Sequence, residues 1–156
     1  MKKILFLLIF TTTIFANELF LLPDEANSLK NRLRYEILNA KETIFVAMYN
    51  FSYKQIAKHL IEASKNGVKI TVLLDKSKVD NNDTIYSMLK EANINVIFDD
   101  KVEKMHLKAM LIDDKLAVLG SMNFTRKSFE ENYDFVYFNK DKKVIQKLKK
   151  FKQKFD

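Results

Sequence analysis

The chain has 156 residues, a formal net charge of +7 and no cysteine. The lack of cysteine excludes disulfides, thiol nucleophiles and Cys-based zinc sites, and two histidines far apart in the sequence disfavour a His-rich metal site. We therefore expect neither a metal nor another cofactor. A basic surface favours polyanionic partners, either nucleic acid or anionic lipid headgroups.

The first residues predict a secretory signal peptide over residues 1–16. Two lysines precede the uncharged apolar stretch 4–15. That stretch is shorter than the roughly 20 residues that cross a bilayer, so a cleaved signal is favoured over a retained anchor. Ile14 stands where a small residue is preferred for cleavage, so the anchor remains an alternative. We expect an exported protein (periplasmic, membrane-associated or secreted) in which residues 17–156 form a single domain.

Apolar periodicity predicts alternating strands and helices along this domain. The predicted strands are Leu19–Leu22, Thr43–Met48, Val68–Leu74, Ile94–Phe98, Met105–Ile112, Leu116–Leu119 and Phe135–Phe138. The predicted helices are Asp24–Ala40, a second opened by a capping box at Ser52–Gln55 and closed by Asn66–Gly67, Asp83–Ala92, and a last one from about Asp141. Unbroken apolar strands between helices predict an α/β sandwich whose sheet is covered on both faces.

The most informative feature is a set of polar residues spaced as H-x-K-x4-D-x6-G-S-x-N. Its members are His106, Lys108, Asp113, Gly120, Ser121 and Asn123. In a chain with only two histidines and two glycines, chance is a poor explanation of this pattern.

A hairpin accounts for the spacing of this motif. His106 and Lys108 are two apart on a predicted strand and therefore share one face of it. A two-residue loop, either Asp113-Asp114 or Asp114-Lys115, would bring Ser121 and Asn123 onto that face at the same end of the hairpin. A three-residue loop would break this agreement.

The chemistry of these residues suits a phosphodiester. A neutral imidazole can attack phosphorus and form a covalent intermediate, which divides one difficult displacement into two easier ones. Lys108 supplies a full positive charge, and Ser121 and Asn123 supply neutral donors, for the phosphoryl oxygens. The reaction also needs an acid for the leaving oxygen and a base for water, and one histidine cannot serve on opposite sides of phosphorus.

The motif resembles the signature of the phospholipase D superfamily, whose members break phosphodiester bonds through a histidine nucleophile. A single motif in so short a chain is most similar to the small bacterial endonucleases of that superfamily. The resemblance extends to Met48–Phe51 after a strand and to Ile70–Asp75. It implies an α-β-α sandwich with a mixed sheet covered by helices on both faces.

The family's second motif copy is missing here. The other histidine, His59, is followed by Leu60 and Ile61, with no lysine two residues on. We therefore predict a homodimer in which His106 of one protomer attacks and His106 of the other is the acid and base. His59 itself is expected to be a partly exposed helix residue.

The remaining site residues follow from the resemblance or from charge. The family's acidic residue that orients the histidine is expected at Asp134, with Glu131 as its rival. Asp113 is expected to hold the hairpin turn or nearby backbone N–H groups, since its parity directs it away from His106. Arg126 and Lys127 are candidates for guiding a phosphate backbone, with ordinary solvated charges as the alternative.

Three functions compete on this evidence. The leading hypothesis is an exported, metal-independent nuclease acting on DNA or RNA. The alternative is a phospholipase-type lipid phosphodiesterase, which leaves open a peripheral membrane association. The third is an inactive nucleic-acid-binding module that binds with a steep salt dependence but shows no turnover.

Overall fold

The computed structural model describes residues 17–79, 83–99 and 103–155. The signal peptide predicted for residues 1–16 lies outside this part of the chain and stays a prediction. The described strands are β1 (Glu18–Leu22), β2 (Thr43–Met48), β3 (Lys69–Asp75), β4 (Asn95–Asp99), β5 (Lys108–Ile112), β6 (Leu116–Gly120) and β7 (Asp134–Asn139). The helices are α1 (Ala26–Asn39), α2 (Lys54–Lys65), α3 (Thr84–Glu91), α4 (Arg126–Glu130) and α5 (Lys142–Lys152), with a 3-10 turn at Lys76–Lys78.

The strands form one mixed sheet in the order β1-β7-β6-β5-β2-β3-β4. Strands β2, β3 and β4 run parallel, and every other neighbouring pair is antiparallel. This arrangement brings Met48 opposite Lys108 and Leu22 opposite Asp134 at one edge of the sheet, which we call the upper edge. The lower edge holds the starts of β2 and β1 and the hairpin between β5 and β6.

Helices cover both faces of the sheet, as the sequence predicts. Helices α1 to α4 bury apolar side chains on one face, including Leu29, Leu33, Leu60 and Phe129, all with 0% exposure. Helix α5 covers the other face, where its Val144, Leu148 and Phe151 pack against a smaller cluster around Phe45 and Leu111. None of the helices in the described residues is long and apolar enough to cross a bilayer.

One local prediction is wrong and one short helix was not predicted, although the predicted elements lie within a few residues of those observed. The capping box at Ser52 does not form: the N-cap of α2 is Tyr53, which has no side-chain cap. The Ser52 and Tyr53 N–H groups instead donate to the Phe124 carbonyl, at 2.9 and 2.8 Å, so the Ser52 N–H that a capping box would bond to Gln55 already has another partner. Helix α4 was not predicted, since five residues carry almost no periodicity.

The hairpin loop has three residues rather than two. Asp113 and Asp114 both adopt positive φ, and the Lys115 N–H donates to the Ile112 carbonyl at 2.9 Å. Strand pairing resumes only at Ile112 with Leu116, so Lys115 is an extra residue beside the tight turn. The predicted strand parity of Ser121 and Asn123 relative to Lys108 is therefore wrong, and contacts outside the hairpin must direct these side chains toward the site.

Candidate active site

His106 lies at the upper edge on the segment that leads into β5. It is not part of the strand, which begins only at Lys108, and its side chain is exposed. The Tyr49 N–H donates to the Leu107 carbonyl at 3.0 Å, which ties this segment to the end of β2. The Tyr49 ring meets the His106 ring edge-on with centroids 4.4 Å apart. The imidazole is therefore held but accessible, as a nucleophile must be.

Lys108 is placed beside His106 by the same two strands. Its Nζ donates to the His106 carbonyl at 3.0 Å and lies 4.9 Å from the centre of the Tyr49 ring. Burial lowers the pKa of Lys108, and the nearby Asp134 carboxylate opposes that shift. A cation with little competing solvent gives more electrostatic stabilisation to a phosphoryl group than a fully hydrated one.

Ser121 and Asp134 form a second part of the site. The Ser121 Oγ donates to the Asp134 Oδ1 at 2.5 Å and accepts from the Phe135 N–H at 3.1 Å. The Ser121 N–H donates to the Phe135 carbonyl at 3.1 Å, so β7 fixes this serine after β6 has ended. Gly120 is required at this point, because a Cβ there would collide with the Phe135 carbonyl oxygen.

Asn123 reaches the site through the loop that follows β2. Its Oδ1 accepts from the Asn50 N–H at 3.3 Å, and Phe51 and Phe124 form an isolated parallel bridge beside it. With its oxygen held by backbone, the amide NH₂ of Asn123 is the group left to donate. Phe51 is buried and its ring packs edge-on against the Phe124 ring.

Asp113 lies at the lower edge, with all of β5 between it and His106. Its carboxylate accepts from the N–H groups of Lys41 (2.8 Å), Glu42 (2.7 Å) and Thr43 (3.0 Å). Burial alone would raise the pKa of Asp113, but these backbone hydrogen bonds outweigh it and the pKa lies below its usual range. The predicted anchoring role is confirmed: this motif residue holds the entry to β2.

The predicted acidic and basic site residues on and after α4 make no hydrogen bond to His106 among the described residues. In the described part of the chain, no hydrogen bond links the His106 imidazole to Asp134 or Glu131. Glu131 is the exposed C-cap of α4. Arg126 is 80% exposed and pairs with Glu130 at 2.7 Å, and Lys127 is exposed. Orientation of His106 by Asp134 or Glu131, and substrate contacts of Arg126 and Lys127, stay predictions.

His59 is buried rather than partly exposed. It is 8% exposed on α2, whose neighbouring residues Ile56, Ala57 and Leu60 are core residues. Burial lowers its pKa, and the charge of Arg34 lowers it further. The expectation of partial exposure was wrong because α2 packs against both α1 and α3 and has a wide buried face. A residue sealed in this way cannot supply a second reactive imidazole.

One residue that positions the histidine segment was not predicted from the sequence. Asp75 ends β3, is 3% exposed, and accepts from the buried Met105 N–H at 2.7 Å. Its other oxygen accepts from the Ser77 N–H at 2.9 Å and from the Ser77 hydroxyl. Burial would raise the pKa of Asp75, but these hydrogen bonds keep it below its usual range. An aspartate directly after an unbroken apolar strand was the available signal.

The site offers no cluster of metal ligands. Within the described residues, no group of three or more His, Cys, Asp or Glu side chains is arranged to hold a metal ion. The motif side chains at the upper edge instead provide one nucleophilic ring, one cation and two neutral polar groups (His106, Lys108, Ser121, Asn123).

Comparison with known proteins gives the family. Residues 33–155 match the family described as "Cardiolipin synthase, PLD-like domain". The structure is similar to NucT from Helicobacter pylori, with a TM-score of 0.82 and 30% identity over 88% of this chain and 93% of that one. It also shares the fold of Nuc, a phospholipase D family member from Salmonella typhimurium, with a TM-score of 0.79 and 22% identity over 89% and 92% of the two chains.

Curated relatives include a protein named phospholipase D from Rickettsia prowazekii. It is 32% identical over 111 residues, which are 71% of this chain and 54% of that protein. The chain thus spans about half the length of the curated relatives it matches. Because the family match covers most of the chain and includes the whole motif, the chain belongs to the phospholipase D superfamily of phosphodiester hydrolases.

Proposed function

We propose that this chain is a metal-independent phosphodiesterase that cleaves DNA or RNA through a covalent intermediate on His106. The observation that carries the proposal is the pairing of an exposed imidazole with a partly desolvated lysine on one aromatic ring, that of Tyr49. The structural similarity of this chain to NucT and Nuc supports the choice of a nucleic-acid substrate rather than a lipid.

The proposed reaction has two displacements. An imidazole nitrogen of His106 attacks phosphorus, a P–N bond forms, and the P–O bond to the leaving strand breaks as an acid protonates the departing oxygen. Water then attacks phosphorus, a base takes its proton, and the P–N bond breaks to restore the imidazole. Lys108, with the Ser121 and Asn123 side chains, stabilises the charge on the phosphoryl oxygens in both steps.

The acid and base are proposed to come from a second copy of the chain. The chain has two histidines, and the other one, His59, is buried within α2. A two-fold axis near the upper edge would place His106 of the partner across the phosphate from the attacking His106. Closed two-fold dimers are the commonest soluble oligomers, so the requirement is a modest one.

An uncovered apolar surface beside Ser121 and Asp134 supports this dimer. Leu19 and Leu21 on β1 are 52% and 56% exposed, Phe135 on β7 is 44% exposed, and Tyr133 just before it is 94% exposed. Leu19, Leu21 and Phe135 occupy the sheet face that α5 covers further along, around Phe45 and Leu111, but not here. Burial of such large apolar side chains would favour association.

The activity is tested with purified protein in EDTA on plasmid, single-stranded DNA, RNA and anionic vesicles. We expect nucleic-acid cleavage that persists in EDTA and is abolished in His106→Ala. The matched control is His59→Asn, which removes the other imidazole and should retain activity in the folded fraction. Cleavage that needs a divalent metal, or that survives His106→Ala, would refute the mechanism.

The shared site is tested by subunit mixing. Wild type and His106→Ala are unfolded together in equal amounts and refolded. If two His106 side chains are needed per site, random pairing should leave about one quarter of the activity of an equal total amount of refolded wild-type protein, whereas independent sites should leave about one half. The second result would contradict the dimeric mechanism.

A lipid phosphodiesterase is the second candidate, and the same apolar surface favours it. Large apolar side chains next to a phosphodiester-cleaving site could enter the interfacial region of a membrane. The Rickettsia relative carries the name phospholipase D. Release of headgroups from vesicles without cleavage of any nucleic acid would select this function over the nuclease. Binding of nucleic acid without turnover would select the inactive module.

A further inference from the structure

A second lysine reaches the Tyr49 ring from the strand next to β2. Lys78 closes the 3-10 turn that follows β3, so it lies at the upper edge, and its side chain is exposed. Its Nζ is 5.1 Å from the centre of the Tyr49 ring, compared with 4.9 Å for the Lys108 Nζ. Two ammonium groups therefore share one aromatic ring, whose electron-rich surface offsets part of their mutual repulsion.

Neither of these lysines forms a salt bridge with a carboxylate among the described residues, although the charges of Asp134 and Asp75 act on Lys108 and Lys78 from further away. The neighbouring Asp75 carboxylate, whose pKa the Lys78 charge helps to lower, is occupied by Ser77 and Met105. Elsewhere on the surface the lysines pair readily, as Lys30 does with Glu130 at 2.9 Å. Two unpaired cations that are at most about 10 Å apart, because each lies near the same ring centre, form a local site for anions.

We infer that Lys78, held over Tyr49, forms a second phosphate subsite that binds the phosphodiester next to the one His106 attacks. The inference rests on the proposed nuclease function and names part of its substrate recognition. Lys108 and the Ser121 and Asn123 side chains are already assigned to the one phosphate that reacts. A further cation on the same Tyr49 ring would suit a nucleic-acid substrate, because phosphates recur along its strand.

The test compares a substrate that has neighbouring phosphates with one that has none. Lys78→Ala is assayed on a single-stranded oligonucleotide and on bis(4-nitrophenyl) phosphate, a lone phosphodiester. For the oligonucleotide we expect KM to rise about fivefold and the slope of log KM against log salt to lose about one phosphate contact. Hydrolysis of bis(4-nitrophenyl) phosphate should stay at the wild-type rate, and Lys78→Arg should restore the oligonucleotide KM.

The matched control is Lys90→Ala. Lys90 stands 5.6 Å from the Tyr86 ring, which makes it a similar lysine–tyrosine pair, but it lies near the end of α3 that leads to the lower edge. It should behave as wild type on both substrates.

The outcomes separate the subsite from the proposed function. If Lys78→Ala matches Lys90→Ala on the oligonucleotide, or slows both substrates equally, the subsite is refuted while the nuclease stands. If wild type cleaves neither substrate, the proposed function fails and the subsite with it.

Discussion

Replacement of Asp113 should cost stability and leave the chemistry intact, although this residue belongs to the motif. It lies roughly 20 Å along β5 from His106, given about 3.3 Å per strand residue. Asp113→Ala removes the acceptor of three backbone N–H groups and places alanine at a φ of +51°. At about 1 kcal/mol for each partly solvated bond and about 1 kcal/mol for the left-handed backbone, the loss is about 4 kcal/mol.

Asparagine at position 113 separates the contribution of the negative charge to stability from the contribution of the side-chain shape. Asp113→Asn tolerates the left-handed backbone and keeps one acceptor oxygen, so we expect a loss of about 1–2 kcal/mol. For a domain of this size these losses correspond to about 8–16 °C in Tm for alanine and about 2–8 °C for asparagine. Asp114→Asn is the control, because Asp114 also has positive φ, but its half-buried carboxylate pairs with Lys149 and Lys152 rather than with backbone N–H groups, and its replacement should cost about 1 kcal/mol.

The contribution of the Asp113 carboxylate to the free energy of unfolding should depend on pH. Because its folded pKa lies below the usual range, the carboxylate contributes its full stabilisation above the unfolded pKa of about 3.9. That contribution is lost as the pH falls through the folded value, so the difference between wild type and Asp113→Asn should shrink below pH of about 4. Urea unfolding measures it, and kcat per folded molecule is measured at 20 °C below Tm. Unchanged stability together with a lost kcat would refute the anchoring role.

Three further changes test the upper edge. Lys108→Arg should move the alkaline limb of the kcat/KM profile to higher pH. The reason is that the pKa of Lys108 is lowered, so its charge is lost at a lower pH than that of an ordinary lysine. If the limb does not move, its titration belongs to another group. Asp75→Asn should lower kcat about tenfold with little change in KM, because the His106 segment loses its anchor, and equal effects on both constants would contradict this. Gly120→Ala should cost about 1–3 kcal/mol in urea unfolding, and wild-type stability would show that β7 can yield.

The sequence predicts the sandwich well because each element has its own strong periodicity. Strand Thr43–Met48 is observed at the predicted bounds, and Asp141 caps α5 as its position suggests. The structure also brings four of the motif residues, His106, Lys108, Ser121 and Asn123, to the upper edge, while their catalytic roles stay predictions. Position along the chain was enough to find them.

The geometry of the site was not predictable in the same way. The extra residue Lys115 changes the strand register. The alternation of apolar and polar residues that predicts a strand does not predict a bulge beside a turn. Ser121 lies at the upper edge because β6 ends there, but its backbone and side chain are held by hydrogen bonds to Phe135 at the start of β7. Asp75 and Lys78 become relevant only when β3 is known to lie next to β2.

The direction of β1 bears on how the protein could be tethered. Asn17 is fixed at the lower edge, where its side chain accepts from the Lys140 N–H at 2.8 Å, and β1 runs from there toward Asp134. A membrane anchor ahead of Asn17 would therefore attach the domain at the side of the sheet that is remote from His106. In that orientation the reactive groups would point into the surrounding solution, toward diffusing strands rather than toward the lipids of the same bilayer.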